Sequence, residues 1–249
     1  MTPLLLIAAV EAETRTLQSL LQKARTFECA QHHAWRGQLF GQEVLLLAGG
    51  VGKVNAAAST AVVLERFAPH GVISFGSAGA YRTSGLDNGD LVLPEVAIMA
   101  DEGVACHDTF LDFAELGFPS VATPEVRYNR FPLPAGLHER ARSILTTTAQ
   151  ELRTNLHCGA SLTVSSCSGT EVHGETLANR WQGCCENMEG AAVAQVCSAW
   201  GTPWLELRSI SNQVEDRELA NWDLPRAAQH AQAAVLALIE HLPAKEWCA

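Results

Sequence analysis

The sequence predicts an α/β fold: a single-domain three-layer sandwich in which helices flank a mainly parallel mixed sheet. Three observations carry this reading. Short runs rich in Leu, Val and Ile alternate with longer helical patterns along the whole chain. Those runs are continuously apolar rather than alternating, as in strands buried on both faces. The 249 residues are 47% hydrophobic, enough for one large core. No repeat, low-complexity stretch or Pro/Ser-rich linker divides them, so 1–249 is expected to form one domain.

Leu4–Val10 reads as the first buried strand, followed by a helix over 11–23. Residues 34–40 and 43–47 read as two strands of a hairpin turning at Gly41-Gln42. Beyond Gly49-Gly50-Val51-Gly52, the spacing of Val54, Ala57, Ala58, Ala61 and Val62 predicts an amphipathic helix with that face inward. A short strand over 71–75 should end at Gly76-Ser77-Ala78-Gly79, and another is expected over 91–99. Residues 107–135, with Pro119, Pro124, Pro132 and Pro134, read as irregular. A helix over 136–150 and a strand over 160–164 follow. Residues 189–200 form a helix whose Gly190, Ala191, Ala192 and Ala194 permit close packing on a sheet. A strand over 204–210 precedes the last helix, where Asp223 suits the cap and Pro225 the first turn. Its Ala227, Ala231, Ala234, Val235 and Leu238 should face the core.

Composition excludes several function classes. Lys+Arg is 17 against 27 Asp+Glu, a formal charge of -10, which opposes nonspecific binding to nucleic acid or anionic membrane. No apolar stretch approaches the ~20 residues that span a bilayer. Leu4–Val10 lacks a basic start and runs into Glu11 and Glu13, unlike a secretory signal. A cytoplasmic protein is therefore expected. The eight cysteines contain no CxxC pair, so reduced, mostly buried thiols are expected rather than a disulfide framework or zinc site. No HExxH occurs, and neither a metal nor an organic cofactor is expected.

In such folds ligands sit at the carboxyl ends of strands. Candidates there are Glu11/Glu13, Gly49–Asn55, Gly76–Ala80, Ser165–Thr170, Asn187–Glu189 and Ser211–Asn212. Gly50-Val51-Gly52-Lys53-Val54-Asn55 approaches two phosphate-binding signatures and satisfies neither. Asn55 stands where a dinucleotide fingerprint needs Gly, and Val54 where a P-loop needs Ser or Thr. Gly76-Ser77-Ala78-Gly79-Ala80 lets backbone approach a flat ligand, or is a structural turn. Glu189 either offsets a helix dipole or accepts hydrogen bonds from a ribose diol. Glu11 and Glu13 are either first-turn acids or the source of a general base acting on water.

Taken together, five segments resemble the nucleoside phosphorylase and nucleoside hydrolase superfamily. They are Ala9-Val10-Glu11-Ala12-Glu13, Gly50 to Ala56, Gly76 to Gly79, Glu186 to Ala192, and Arg208-Ser209-Ile210-Ser211-Asn212, in that order. Within it, Thr163 to Thr170, Ile210-Ser211-Asn212, Asp216-Arg217 and Trp222-Asp223 are most similar to the futalosine hydrolase branch. The resemblance implies hydrolysis of the N-glycosidic bond of futalosine, releasing hypoxanthine and dehypoxanthinyl futalosine, in menaquinone biosynthesis. The partners it implies are that small purine nucleoside and water. It assigns catalytic roles to Glu13, which activates water, and to Asn212. It assigns substrate contacts to Ser77, Ala78, Gly79, Thr170, Asn187, Met188, Glu189 and Ser211. Relatives form homo-oligomers, so the same is expected here.

Chemistry weighs on these assignments. An Asp at position 212 would have to be protonated to donate to purine N7, whereas the Asn amide donates without any shift. Hypoxanthine offers two acceptors on that edge, O6 and N7. The rival reactions are adenine release from methylthioadenosine or S-adenosylhomocysteine, and phosphorolysis. Phosphorolysis needs a cationic pocket, for which Arg82 is the candidate; Glu13 would repel phosphate. Arg208 is expected to support the site from behind. Asp101-Glu102 is expected at a pocket rim or a subunit interface. A non-catalytic nucleoside sensor is disfavoured, because a binder has no use for a water-activating carboxylate.

Overall fold

The computed structural model describes residues 2–107 and 109–247. Strand β1 (Leu4–Ala8) runs into a 3-10 turn, Glu11–Glu13, and a short helix α1 (Arg15–Leu20). Strands β2 (Gln22–Cys29), β3 (His32–Leu39) and β4 (Gln42–Ala48) follow, then helix α2 (Lys53–Phe67) and strand β5 (Gly71–Ala80). Short strands β6 (Leu91–Val92), β7 (Val96–Met99), β8 (Val104–Ala105) and β9 (Phe110–Leu111) lead to helix α3 (Phe113–Leu116). Next come β10 (Arg130–Pro132), α4 (Ala135–Leu152), β11 (Leu156–His157), β12 (Ala160–Thr163), α5 (Glu171–Trp181) and β13 (Gly183–Asn187). The chain closes with α6 (Gly190–Trp200), β14 (Trp204–Gln213) and α7 (Leu224–His241).

Twelve strands form one mixed sheet, ordered β10-β7-β12-β13-β5-β1-β4-β3-β2, and β14 adds to β5 as a branch that continues through β6 to β11. The β1–β4, β1–β5, β5–β14 and β12–β13 pairs are parallel. Leu5, Leu6, Val72, Ile73, Leu205 and Leu207 are fully buried along the central strands. This is why residues 4–8 and 71–73 are continuously apolar, whereas β14 alternates Leu205 and Leu207 with buried Glu206 and Arg208. The far end of β5 turns to pair antiparallel with β13. Three segments named by the sequence thus meet at one place: the ends of β5, β13 and β14. Among the described residues, no helix is long and apolar enough to cross a membrane.

Several expectations need correction. The helix expected over 11–23 is a turn plus six residues, because the Glu13 side chain folds inward and accepts from the Ala9 and Val10 N–H groups. Strand β2 gave no apolar signal because it is a polar, largely exposed edge strand. Strand β5 does not stop at Gly76 but continues to Ala80, paired with β14. Strand β14 likewise runs through Ser211 and Asn212. The strand expected over 91–99 is split by residues 93–95, which include Pro94. Helix α2 buries Ala56, Ser59, Thr60 and Val63, whereas Val54 is 82% exposed. Hydroxyls there satisfy themselves locally: Ser59 donates to the Gly49 carbonyl and Thr60 to that of Ala56. The inward face predicted for α7 is buried as expected, and Asp223 caps it by accepting from the Arg226 N–H.

Candidate active site

Nine of the ten candidate residues line one cleft of about 190 Å³, at the ends of β5, β13 and β14. Thr170 is the exception. It is exposed and forms the N-cap of α5, where its hydroxyl accepts from the His173 N–H. The sequence did not signal α5, so the cap role of Thr170 was hidden with it.

At one end of the cleft lies Glu13. One carboxylate oxygen accepts from the Ser77 N–H (2.8 Å) and hydroxyl (2.9 Å). The other accepts from the Ala9 N–H at 3.2 Å. Four donors, including the Val10 N–H, fix a carboxylate that is nearly buried yet still lines the cleft. Gly76 makes room for it. Its φ is 154°, and a Cβ there would fall 2.7 Å from a Glu13 oxygen.

Glu189 sits opposite, at the start of α6. It accepts from the Gly52 N–H at 2.9 Å and lies 3.7 Å from an Arg208 nitrogen. The Gly49–Asn55 turn therefore presents a backbone donor to a carboxylate rather than to a phosphate. Burial pushes the Glu189 carboxyl above the usual glutamate range, with Arg208 and the Gly52 N–H opposing and Glu13 reinforcing.

Arg208 is fully buried. It donates to Glu206 (2.9 Å) and Ser74 (3.3 Å), so its charge is committed behind the cleft. Glu206 in turn accepts from Asn187 and Ser161. A Cβ on Gly190 would fall 2.1 Å from a Glu206 oxygen, so the helix start needs glycine. The Asn187 amide is spent on this scaffold: its oxygen accepts from the Glu189 and Gly190 N–H groups. Asn187 positions Glu189, and Met188 beside it lines the cleft.

At the other end, Asn212 donates to the Gln213 carbonyl (2.9 Å), and its oxygen lies 2.8 Å from the Ser211 hydroxyl. That leaves its second N–H unused by these contacts. Ala78 and Gly79 form the floor, and Cys167, Arg217 and Trp222 complete the wall. The Arg217 guanidinium stacks over Trp222, 5.0 Å from the ring centroid. Glu186, also in the wall, was not singled out from the sequence; a carboxylate in a Cys-Cys-Glu-Asn strand was the available signal. Burial and Glu186 together push the Cys167 thiol up to about 11.

Arg82, the cationic candidate for phosphate, lies outside the cleft. Arg82 pairs with Glu171 on an exposed surface at 2.6 Å. Lys53 is held by Asp101 (2.6 Å) and Glu102 (2.9 Å). Asp101 also accepts from the Ser165 N–H. The seven described cysteines are all free thiols; Cys29, Cys184, Cys185 and Cys197 are buried, while Cys106 and Cys167 are exposed. Cys248 lies outside the described residues.

The chain is 39% identical over 208 residues to futalosine hydrolase of Thermus thermophilus, covering 83% of this chain and 85% of that one. It is 31% identical over 243 residues to the 5′-methylthioadenosine/S-adenosylhomocysteine nucleosidase of Bacillus thuringiensis, covering 95% and 97%. Among solved structures, the Neisseria meningitidis 5′-methylthioadenosine/S-adenosylhomocysteine nucleosidase in complex with methylthio-immucillin-A superposes with a TM-score of 0.84. That match has 25% identity and covers 97% of this chain and all of that one. The sequence profile of the phosphorylase superfamily matches residues 3–240. The chain belongs to the phosphorylase superfamily.

Proposed function

We propose that this nucleosidase-type enzyme uses water to cleave the N-glycosidic bond of a 6-oxopurine nucleoside, with futalosine as substrate, in menaquinone biosynthesis. The observation that carries the reading is the pairing of two cleft carboxylates, Glu13 and Glu189, with an arginine already committed to Glu206. Negative charge at the sugar end repels phosphate and favours both water and a cationic sugar.

In this mechanism Glu13 takes a proton from a water as the water oxygen bonds to C1′. The C1′–N9 bond breaks, and its electron pair leaves with the purine. Glu189 accepts from the ribose hydroxyls and faces the positive charge that develops on the ring. The free N–H of Asn212 donates to N7 of the departing base and so offsets the charge gathering there. The departing purine anion takes up a proton from solvent and Glu13 returns its own to solvent, giving hypoxanthine and dehypoxanthinyl futalosine. A second cavity of about 550 Å³ shares Val10, Glu13, Ser77 and Leu224 with the cleft. Its apolar Ala12, Pro225 and Ala228, with Arg15 alongside, suit a bulky 5′ substituent ending in a carboxylate.

A second reading, release of adenine from methylthioadenosine or S-adenosylhomocysteine, is favoured by the similarity to those nucleosidases. The amide at Asn212 argues against it. Incubating the pure protein with futalosine in phosphate-free buffer should release hypoxanthine. Absence of release there, with adenine freed from methylthioadenosine, would overturn the futalosine reading.

A further inference from the structure

Glu206 and Arg208 stand two residues apart on β14, so their side chains share one face of the sheet. Both are fully buried. A buried ion pair is weak support for stability, because well-packed apolar residues in its place are often neutral or stabilising. The pair needs another reason, and its geometry supplies one.

Three donors converge on a single oxygen of Glu206, Oε1. They are Arg208 Nε (2.9 Å), the Asn187 amide (3.0 Å) and the Ser161 hydroxyl (3.1 Å). Oε2 is buried and has no hydrogen-bond partner among the described residues. Two of the three donors lead on to Glu189. The Asn187 oxygen accepts from the Glu189 N–H at 2.9 Å, which fixes its backbone. Arg208 turns Nη1 toward the Glu189 carboxylate, 3.7 Å away. The same Nη1 lies 3.2 Å from the Cβ position of Gly76, a point 2.7 Å from a Glu13 oxygen. The hydrogen bonds of Arg208 run through Nε to Glu206 and Nη2 to Ser74, and none through Nη1. That nitrogen faces both carboxylates of the sugar end without being bonded to Glu189.

We infer that Glu206 is a positioning residue of the sugar end: it anchors Arg208 behind the cleft, so that the guanidinium does not close on Glu189 and Glu13. The inference rests on the nucleoside-hydrolysis reading of the same cleft and adds to it the residue that keeps both carboxylates free for ribose and water. Besides Arg208, the charged and titratable groups that face Glu189 are Glu13, from the turn after β1, and Cys167, from the loop before α5. From the start of α2 it meets the Gly52 N–H. With the counter-charge of Glu206 removed, the attraction of Arg208 falls on Glu189 and Glu13 alone, and a nearby opposite charge favours the ionised carboxylate.

The test is Glu206→Gln, which keeps an acceptor oxygen for the three donors and removes the charge. Base release is followed against pH in phosphate-free buffer, on whichever of futalosine and methylthioadenosine the protein cleaves. The acid limb of kcat/KM should move down by about one pH unit. KM should rise roughly tenfold as Arg208 displaces the ribose hydroxyls from Glu189. A defect of packing alone would lower activity without moving the limb. The double variant Glu206→Gln/Arg208→Gln leaves no buried charge uncompensated and no guanidinium to close, so its limb should return to the wild-type position or above it. A folded Glu206→Gln whose limb and KM stay at wild-type values, or a double variant whose limb lies below wild type, would overturn the role of Glu206 and leave the hydrolase reading standing. A wild type that releases base from neither nucleoside would overturn both.

Discussion

The two ends of the cleft meet where β5, β13 and β14 end, with Glu13 supplied by the turn after β1, but they solve different problems. At the sugar end, Glu13 and Glu189 are held by backbone N–H groups from Ala9, Ser77 and Gly52, with Arg208 fixed behind them. At the base end, Asn212 and Glu186 are held mainly by hydroxyls and by their own neighbours. The difference teaches where reaction and specificity are separable. Backbone donors set the sugar end rigidly, as a reaction common to many nucleosides requires. At the base end the Ser168, Tyr81 and Ser211 hydroxyls add to the Ser168 N–H, so exchanging one side chain changes the pattern that end presents.

The comparison can be broken most severely at Glu13. Glu13→Gln should lower kcat by about 10²- to 10⁴-fold while substrate still binds, as measured by phosphate-free turnover beside calorimetry. Near-normal turnover would remove Glu13 as the base. Glu189→Gln should cost roughly 10- to 150-fold in kcat/KM for every nucleoside tested, because the ribose is common to all. A loss confined to one base would show that the two ends are not separable.

Gly76→Ala probes the sugar end through packing alone. Its Cβ would press on the Glu13 carboxylate, so about 1–3 kcal/mol of stability should be lost in denaturant titration, together with activity. Retained stability and rate would mean that Glu13 has slack. Asn212→Asp probes the base end. The new carboxyl must be protonated to donate, so hypoxanthine release should fall about tenfold near pH 8 and recover as pH is lowered. A flat pH response would remove Asn212 as the N7 donor.

The smallest expected effect is a displaced pH limb. Burial raises the Glu189 carboxyl, and in the proposed mechanism the ribose is bound by the ionised form, which is lost as pH falls through that raised value. The acid limb of kcat/KM should lie above the ordinary glutamate range and move down in Glu189→Gln. A limb unmoved by that substitution would assign it to another group.

The buried centre of the fold was legible because β1 and the start of β5 are apolar on both faces, and α7 shows a clean stripe with its own cap. Helix α5, with mostly polar Glu171–Trp181, and the exposed edge strand β2 carry no such pattern. In α2 the expected stripe is rotated, because the inward face is Ala56, Ser59, Thr60, Val63 and Leu64 rather than Val54, Ala57, Ala58, Ala61 and Val62. The segments that line the cleft were legible at strand ends, since β5, β13 and β14 converge there. Glu186 was missed because a strand residue is read first as core or surface.

The central claim is that one cleft uses water at the sugar end and selects a 6-oxopurine at the base end. The most direct measurement supplies purified protein with equal concentrations of futalosine and methylthioadenosine, without phosphate and then with it, and resolves the released bases and sugars over time. The account predicts hypoxanthine in large excess over adenine, a free anomeric hydroxyl on the sugar product, and no change in rate on adding phosphate. Predominant adenine, or a sugar 1-phosphate formed only with phosphate, would contradict it.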